Sequence, residues 1–414
     1  MKTPRAGVIG LGKLGLPLLA VLSNAGIRVI GYDSNELTRK LLREGNIHTN
    51  EPYVREYYEK SVTLIDISDS ILELVNLSEA IFVIVPTPSL DSGYFSNAAV
   101  NSVLFEVGNA LRNSTSFKLI IIVSTVMPKS CDEEFIPLLE SVSGKRSGID
   151  FGLAYSPEFI ALGSVINNMT NPDMILLGIN DDKSSDLAQK YLTSYVISEC
   201  PLVVLNRTEA ELAKIAVNNF VTSKIAFANQ IDQISRKLGD VSSQKVNSAI
   251  GLDSRIGQRY LKAGPPFGGP CFPRDTRALE SLSLKLGLGA GLSRATTQAN
   301  KDHYEFLRNL LYQSIDLTDA KVAILGISYK DQSSVTEEAF GYQFALELKN
   351  VSVSFMSWDP DIDFELPEVN LNSSIAEVIE GSDLILICKT FSHLREKVDS
   401  HLRGQSGQVV DLWN

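Results

Sequence analysis

The run Gly10-Leu11-Gly12-Lys13-Leu14-Gly15 constrains the fold more than any other stretch of this chain. It follows an apolar strand pattern, Ala6 to Ile9, and opens a helical pattern from Leu16 to Asn24. A second strand, Arg28-Val29-Ile30-Gly31-Tyr32, then ends on Asp33, 18 residues after Gly15. Strand, glycine turn, helix and strand in that order make a βαβ unit of a parallel sheet. The first glycine permits the tight turn, the second lets a pyrophosphate approach the backbone, and the third lets helix and strand pack closely. The pyrophosphate then meets the positive end of the helix. Asp33 is placed to accept from ribose hydroxyls and to repel a 2′-phosphate, which favours NAD over NADP. A bare glycine triplet reads equally well as a surface turn; the flanking strands, helix and Asp33 argue against that here.

Further short apolar runs follow at Ala80–Pro86, Leu119–Ser124, Phe151–Tyr155 and Met174–Gly178, with helical stretches between them. Buried parallel strands have this look. Residues 1–200 are assigned to one doubly wound α/β domain. A long helix is predicted next, opened by a Thr208/Glu211 capping box and running without Gly or Pro to about Leu238. Its apolar residues fall on more than one face, which predicts burial between domains. It belongs to a helical region, 201–310. Strand patterns resume at Lys321–Gly326, Val351–Met356, Asp383–Cys388 and Val409–Asp411, so 311–414 forms a second, smaller α/β domain. The expected fold class is α/β, with two Rossmann-like doubly wound domains joined by a long central helix.

With 414 residues, 44% hydrophobic and 21% charged, the composition is that of a globular protein of two or three domains. A net charge of −11 argues against nucleic acid or an anionic membrane as partner. No apolar run approaches ~20 residues, and the start Met1-Lys2-Thr3-Pro4-Arg5 has no leader pattern, so a cytoplasmic location is expected. The four cysteines, Cys131, Cys200, Cys271 and Cys388, form no CxxC pair, and no metal site is expected.

One cysteine stands apart. Cys271 lies in a segment with Gly264, Pro265, Pro266, Gly268, Gly269, Pro270 and Pro273, a composition of turns. Arg274 and Asp275 follow it. On the long helix, Lys214 and Asn218 are spaced i, i+4 within a stripe that also holds Ala210, Val217, Val221 and Ile225. A lysine snorkelling to the surface and a desolvated ammonium aimed at a developing oxyanion both fit that spacing. Ser124-Thr125-Val126 and Ser156-Pro157-Glu158 close adjacent apolar runs, and ligands of open parallel sheets bind beyond such strand ends. Glu158 reads either as a group facing that crevice or as a helix-start carboxylate after Pro157.

These segments together resemble the UDP-glucose/GDP-mannose 6-dehydrogenase family. The matching pieces are GVIGLGKLGLP at Gly7–Pro17, VPTP at Val85–Pro88, STV at Ser124–Val126 and SPEFIALGS at Ser156–Ser164. They continue with NPD at Asn171–Asp173, ELAKIAVNNFVTSKIAFAN at Glu211–Asn229, DSRIG at Asp253–Gly257 and GGPCFPRD at Gly268–Asp275. The resemblance implies an NAD-dependent, four-electron oxidation of the C6 alcohol of a nucleotide-linked hexose, UDP-glucose-like, supplying uronic acids for polysaccharide assembly. A UDP-N-acetylhexosamine substrate, or a non-catalytic nucleotide-sugar-binding relative, is the alternative. It implies Cys271 as the nucleophile, Lys214 and Asn218 as oxyanion holders, and Thr125, Glu158 and Asp275 in water activation and proton transfer. It implies cofactor contacts at Gly10, Gly12, Lys13, Leu14, Gly15, Asp33, Pro86, Thr87, Ser124, Thr125 and Arg274. Substrate contacts are implied at Phe159, Ile160, Lys214, Asn218, Tyr260, Lys262, Phe267, Gly268 and Lys330. A homodimer built around the long helix is also implied, with Arg255 reaching the neighbour's substrate site. The chain departs from the family at Arg274, where lysine is usual, and at Glu337, where an arginine near the substrate diphosphate is expected; a carboxylate there would repel the ligand.

Overall fold

The computed structural model describes residues 5–316 and 319–413. The Met1–Pro4 stretch considered above lies outside them. Two compact units divide the chain, Met1–Ile215 and Ala216–Asn414.

The first unit is built on an eight-stranded sheet. Its strands are β1 Arg5–Ile9, β2 Arg28–Tyr32, β3 Ile65–Ile67, β4 Ala80–Val83, β5 Lys118–Ile122, β6 Phe151–Tyr155, β7 Ile175–Gly178 and β8 Leu202–Leu205. Their order is β3-β2-β1-β4-β5-β6-β7-β8. All pairings are parallel except β6 with β7, where Tyr155 faces Gly178 in antiparallel register. The chain leaves β1 towards β2 and returns to β4 on the other side of β1. The sheet's switch point therefore lies beside the Gly10 turn, where open α/β sheets bind ligands. Strands β1, β4, β5 and β6 are almost wholly buried on both faces, which is why they read as continuous apolar runs. Strands β3 and β8 escaped the sequence reading: three and four residues long, with intermediate burial, they carry too little apolar pattern.

The second unit contains a smaller sheet, β9 Lys321–Leu325, β10 Ser354–Trp358, β11 Leu384–Ile387 and β12 Gln408–Asp411. It is parallel throughout, in the order β10-β9-β11-β12. Its helical part includes Phe272–Lys285 and Gly291–Ser314.

The long helix spans Arg207–Leu238, 32 residues. Its start differs from the predicted one. The capping pair is Asn206 and Glu209: Asn206 Oδ1 accepts from Glu209 N at 2.9 Å, and Glu209 Oε2 accepts from Asn206 N at 2.9 Å. Glu211 instead turns inward with no exposure and accepts from the backbone N–H groups of Lys129, at 2.6 Å, and Cys131, at 2.8 Å. The same four-residue signature occurs twice in overlapping register, and the first one caps. Phe220, Phe227, Ile234 and Leu238 are exposed by 67%, 47%, 51% and 64%.

Candidate active site

In the first unit, β5 and β6 run side by side with Ile122 opposite Tyr155. Thr125 and Glu158, each three residues further on, therefore leave neighbouring strands at one level. Glu158 sits in irregular chain after β6, so the helix-start reading does not apply. Its Oε1 accepts from the hydroxyl of buried Tyr195 at 3.2 Å. Lys214, only 8% exposed, donates from Nζ to the Glu158 carbonyl oxygen at 2.6 Å and lies 4.6 Å from the Phe159 ring centroid. Burial pushes the Glu158 carboxyl up to about 7, with the Tyr195 hydrogen bond and the Lys214 charge opposing. Lys214 thus turns into the unit, and Tyr195 is a partner of Glu158 that no motif announced. Ile160 is half-buried beside them.

The glycine turn has the shape a pyrophosphate needs. Gly10 has φ +93°, and a Cβ there would fall 1.9 Å from the Ile84 carbonyl oxygen. A Cβ on Gly15 would fall 1.7 Å from the Gly10 oxygen, whereas one on Gly12 would meet nothing within 4 Å. The turn is thus packed shut beneath and open at Gly12, with Lys13 exposed beside it and Leu14 half-buried. Asp33 Oδ2 accepts from Leu11 N at 2.8 Å and so ties the turn to β2. Arg39, six residues on, is engaged by the Asp33 carbonyl at 2.6 Å and by Asp69 at 3.0 Å. Ser124 Oγ bonds Val85 N and O at 2.9 and 2.7 Å, and Thr87 Oγ1 donates to Thr125 O at 2.7 Å. These side chains knit the ends of β4 and β5 together, with Pro86 exposed between them.

In the second unit, Cys271 is exposed and stands at the N-cap of the helix Phe272–Lys285, with Pro273 in its first turn. The turn-rich composition marked where a helix begins, with Cys271 at its N-terminal end. One turn on, Asp275 is 1% exposed. Its Oδ2 accepts from Asn218 Nδ2 at 2.6 Å, its Oδ1 from Arg274 Nε at 3.1 Å, and its carbonyl from Asn219 Nδ2 at 2.9 Å. Asn219, adjacent to the predicted Asn218, could be found only from the fold. Phe267 and Gly268 are buried, Tyr260 sits edge-on to Phe272 at 6.3 Å, and Lys262 lies 5.5 Å from the Trp413 ring. Lys330 lies 5.7 Å from the Tyr329 ring. Arg255 points outward, 86% exposed, and pairs with Asp253 at 2.6 Å. Glu337 is exposed, and its carbonyl accepts from Gly269 N at 2.8 Å. Glu338 pairs with Arg277 at 2.9 Å.

The sequence profile of the UDP-glucose/GDP-mannose dehydrogenase family's NAD binding domain matches residues 4–195, and that of its central domain matches 208–302. This chain belongs to that family. It is 29% identical to the UDP-glucose 6-dehydrogenase AglM of Haloferax volcanii over 390 residues, covering 92% of this chain and 90% of that one. It is 28% identical to the GDP-mannose 6-dehydrogenase of Pseudomonas putida, covering 99% and 95%. Among solved structures, a UDP-glucose dehydrogenase from Pyrobaculum islandicum superposes with a TM-score of 0.90 at 27% identity, over 100% of this chain and 94% of that one. Family membership makes the chain an NAD-dependent oxidoreductase of nucleotide sugars, and the glycine turn fits that cofactor. Gly10, Gly12, Gly15 and Asp33 are the residues that would hold the dinucleotide. Among the described residues no group of three or more His, Cys, Asp or Glu is placed to hold a metal ion, and no helix is long and apolar enough to cross a membrane.

Proposed function

We propose that this chain oxidises the C6 alcohol of a nucleotide-linked hexose, UDP-glucose-like, through the aldehyde to the carboxylate, with Cys271 holding the aldehyde. The observation that carries the reading is the placement of Cys271. It is an exposed thiol at a helix N-terminus, one turn before a buried carboxylate already bound to Asn218. Relatives named for UDP-glucose and GDP-mannose 6-dehydrogenation support it.

NAD held at the Gly10–Gly15 turn would supply the hydride acceptor, one molecule for each oxidation. The alcohol gives up a hydride and a proton to become an aldehyde. The Cys271 S–H adds across its C=O, sulfur bonding to carbon and the proton ending on oxygen, to give a thiohemiacetal. Loss of a second hydride and the hydroxyl proton leaves a thioester. Water adds, the C–S bond breaks, and carboxylate, proton and free thiol result. Glu158, raised to about 7 by burial, serves as the base at neutral pH. Lys214 and Asn218, about 6 Å apart along one helix, hold the oxyanion. Thr125 and Asp275 order the water. Phe159, Ile160, Tyr260, Lys262, Phe267, Gly268 and Lys330 contact the nucleotide sugar. Arg255 acts across a homodimer.

Glu337 is exposed and its carbonyl serves the Gly269 N–H; a diphosphate bound against its carboxylate would be repelled. NADH formation across UDP- and GDP-linked hexoses and N-acetylhexosamines tests the proposal. About two NADH per sugar are expected, best with UDP-glucose. Cys271→Ala should cut acid formation by ~1000-fold or more. One NADH per sugar with free aldehyde released, or an active Cys271→Ala protein, sinks the mechanism. Preference for an N-acetylhexosamine moves the substrate and leaves the chemistry standing.

A further inference from the structure

The segment that leads into Cys271 makes few main-chain bonds of its own, and side chains from two helices satisfy it instead. Asn229, on the long helix, accepts from Gly264 N at 3.0 Å through Oδ1. Its Nδ2 lies 3.5 Å from the Pro265 carbonyl. Asn300, on the helix Gly291–Ser314, accepts from Phe267 N at 2.8 Å and donates to Phe267 O at 2.9 Å, so one amide serves both polar groups of that residue. One turn further along that helix, His303 Nε2 lies 2.8 Å from the Gly264 carbonyl oxygen. His303 Nδ1 lies 3.0 Å from Gln233 Nε2. His303 and Asn229 are each 1% exposed.

The tautomer follows from the partners. A carbonyl oxygen only accepts, so His303 Nε2 carries the proton and donates to Gly264 O. His303 Nδ1 is then bare and accepts from the Gln233 amide. The ring is neutral and oriented from both ends, and it stacks at 13° to the Phe306 ring. On its other side the segment abuts the smaller sheet's domain. A Cβ on Gly264 would fall 2.6 Å from the Trp413 ring, and one on Gly269 2.6 Å from the Tyr329 ring. The main chain before Cys271 is therefore pressed between aromatic faces and a row of amides and imidazole that is buried at Asn229 and His303.

We propose that His303 is a positioning residue for Cys271: with Asn229 and Asn300 it fixes the Gly264–Phe267 main chain and so sets where the Cys271 sulfur meets the aldehyde. The inference rests on the reading of Cys271 as the aldehyde-holding thiol. His303 touches neither substrate nor cofactor; it acts through the backbone. Truncating it leaves the buried Gly264 carbonyl without its partner and releases the half-buried Gln233 amide, and the segment shifts to find partners. A nucleophile misplaced by about 1 Å loses rate by up to ~100-fold while binding is little changed.

The test compares wild-type protein with His303→Ala, His303→Gln and Asn300→Ala. His303→Ala is expected to lower kcat ~10-fold or more with KM within about threefold, because the lost term is geometry of attack. NADH per sugar should fall below the wild-type ratio, with the difference recovered as aldehyde trapped by semicarbazide. His303→Gln can donate an amide N–H to Gly264 O and should restore part of kcat and of that ratio; Asn300→Ala should resemble His303→Ala. A lowered melting temperature with wild-type kcat and ratio overturns the proposal, since that is what a merely structural residue gives. Carbamidomethylation of Cys271 by iodoacetamide, followed by peptide mass spectrometry, reads the thiol without turnover. Equal rates in wild type and His303→Ala overturn the proposal even if wild-type stoichiometry has already removed the thioester route. If His303→Ala does not fold, nitrogen NMR of the wild-type imidazole decides. Protonated Nε2 with bare Nδ1 is expected, and the opposite tautomer overturns the arrangement.

Discussion

Burial raises the Glu158 carboxyl to about 7, while the Tyr195 hydroxyl and the Lys214 ammonium both pull it down. A base with that value is deprotonated only above neutrality, so kcat should rise with pH through an inflection near 7 and level off above it. Tyr195→Phe removes a hydrogen bond that favours the charged form, so the inflection should move to higher pH. A pH–rate profile of the two proteins checks both; an unmoved inflection would detach Glu158 from the rate. The stability sign is separate. A group whose folded value lies above its unfolded one, 4.5, stabilises the fold fully below 4.5 and loses that contribution as pH rises through about 7. Glu158→Gln should therefore gain melting temperature over wild type at pH 8 relative to pH 5. The residue type and its place after a strand were legible in the sequence. Its environment was not, because Tyr195 comes from 37 residues away and has no motif of its own.

The junction between β5 and the long helix shows how one carboxylate can define a turn between elements. Glu211 is wholly buried, and two backbone N–H groups at the start of the helical stretch Cys131–Ser143 reach it, with Lys129 held at φ +77°. Desolvation raises its carboxyl, and the hydrogen bonds from Cys131 pull it back. Glu211→Ala should lower stability by about 3 kcal/mol, since one buried and one part-buried backbone donor lose a charged acceptor; Glu211→Gln should lose less. Urea unfolding followed by circular dichroism measures both, and an unchanged midpoint for Glu211→Ala would remove the carboxylate from that role. The central strands and the long helix were readable because apolar period and length are local properties. The choice between two overlapping capping signatures was not, because it depends on where the chain leaves β8. The helical placement of Cys271 was hidden for a similar reason: glycine and proline mark both loops and helix starts, and only the fold distinguishes them.

At the scale of the whole molecule, one exposed apolar row stands out among the described residues. Phe220, Phe227, Ile234 and Leu238 recur at steps of seven, seven and four along the long helix, a spacing that keeps them on one face, and all are exposed. Leu284, Leu286, Leu288 and Leu292 in the same unit are also exposed, by 45%, 63%, 60% and 71%. Exposed apolar rows of this kind suit an interface, and we propose a two-fold pair of this chain. The sequence displayed the extra apolar face of the helix; what covers it cannot be read from one chain, which is why burial between domains was the natural expectation. We expect a homodimer, with Phe227→Asp shifting sedimentation velocity towards monomer. If Arg255, exposed and paired with Asp253, serves the neighbouring site, two inactive proteins should complement each other. In a heterodimer of Cys271→Ala with Arg255→Ala protomers, one site combines the intact cysteine of one protomer with the intact arginine of the other. Coexpression gives such pairs in half of the dimers and repairs one of their two sites, so about a quarter of wild-type activity should return. No recovery from dimers shown to be mixed would place Arg255 in its own protomer's site, and a wild-type protein that sediments as monomer at assay concentration would remove the shared site altogether.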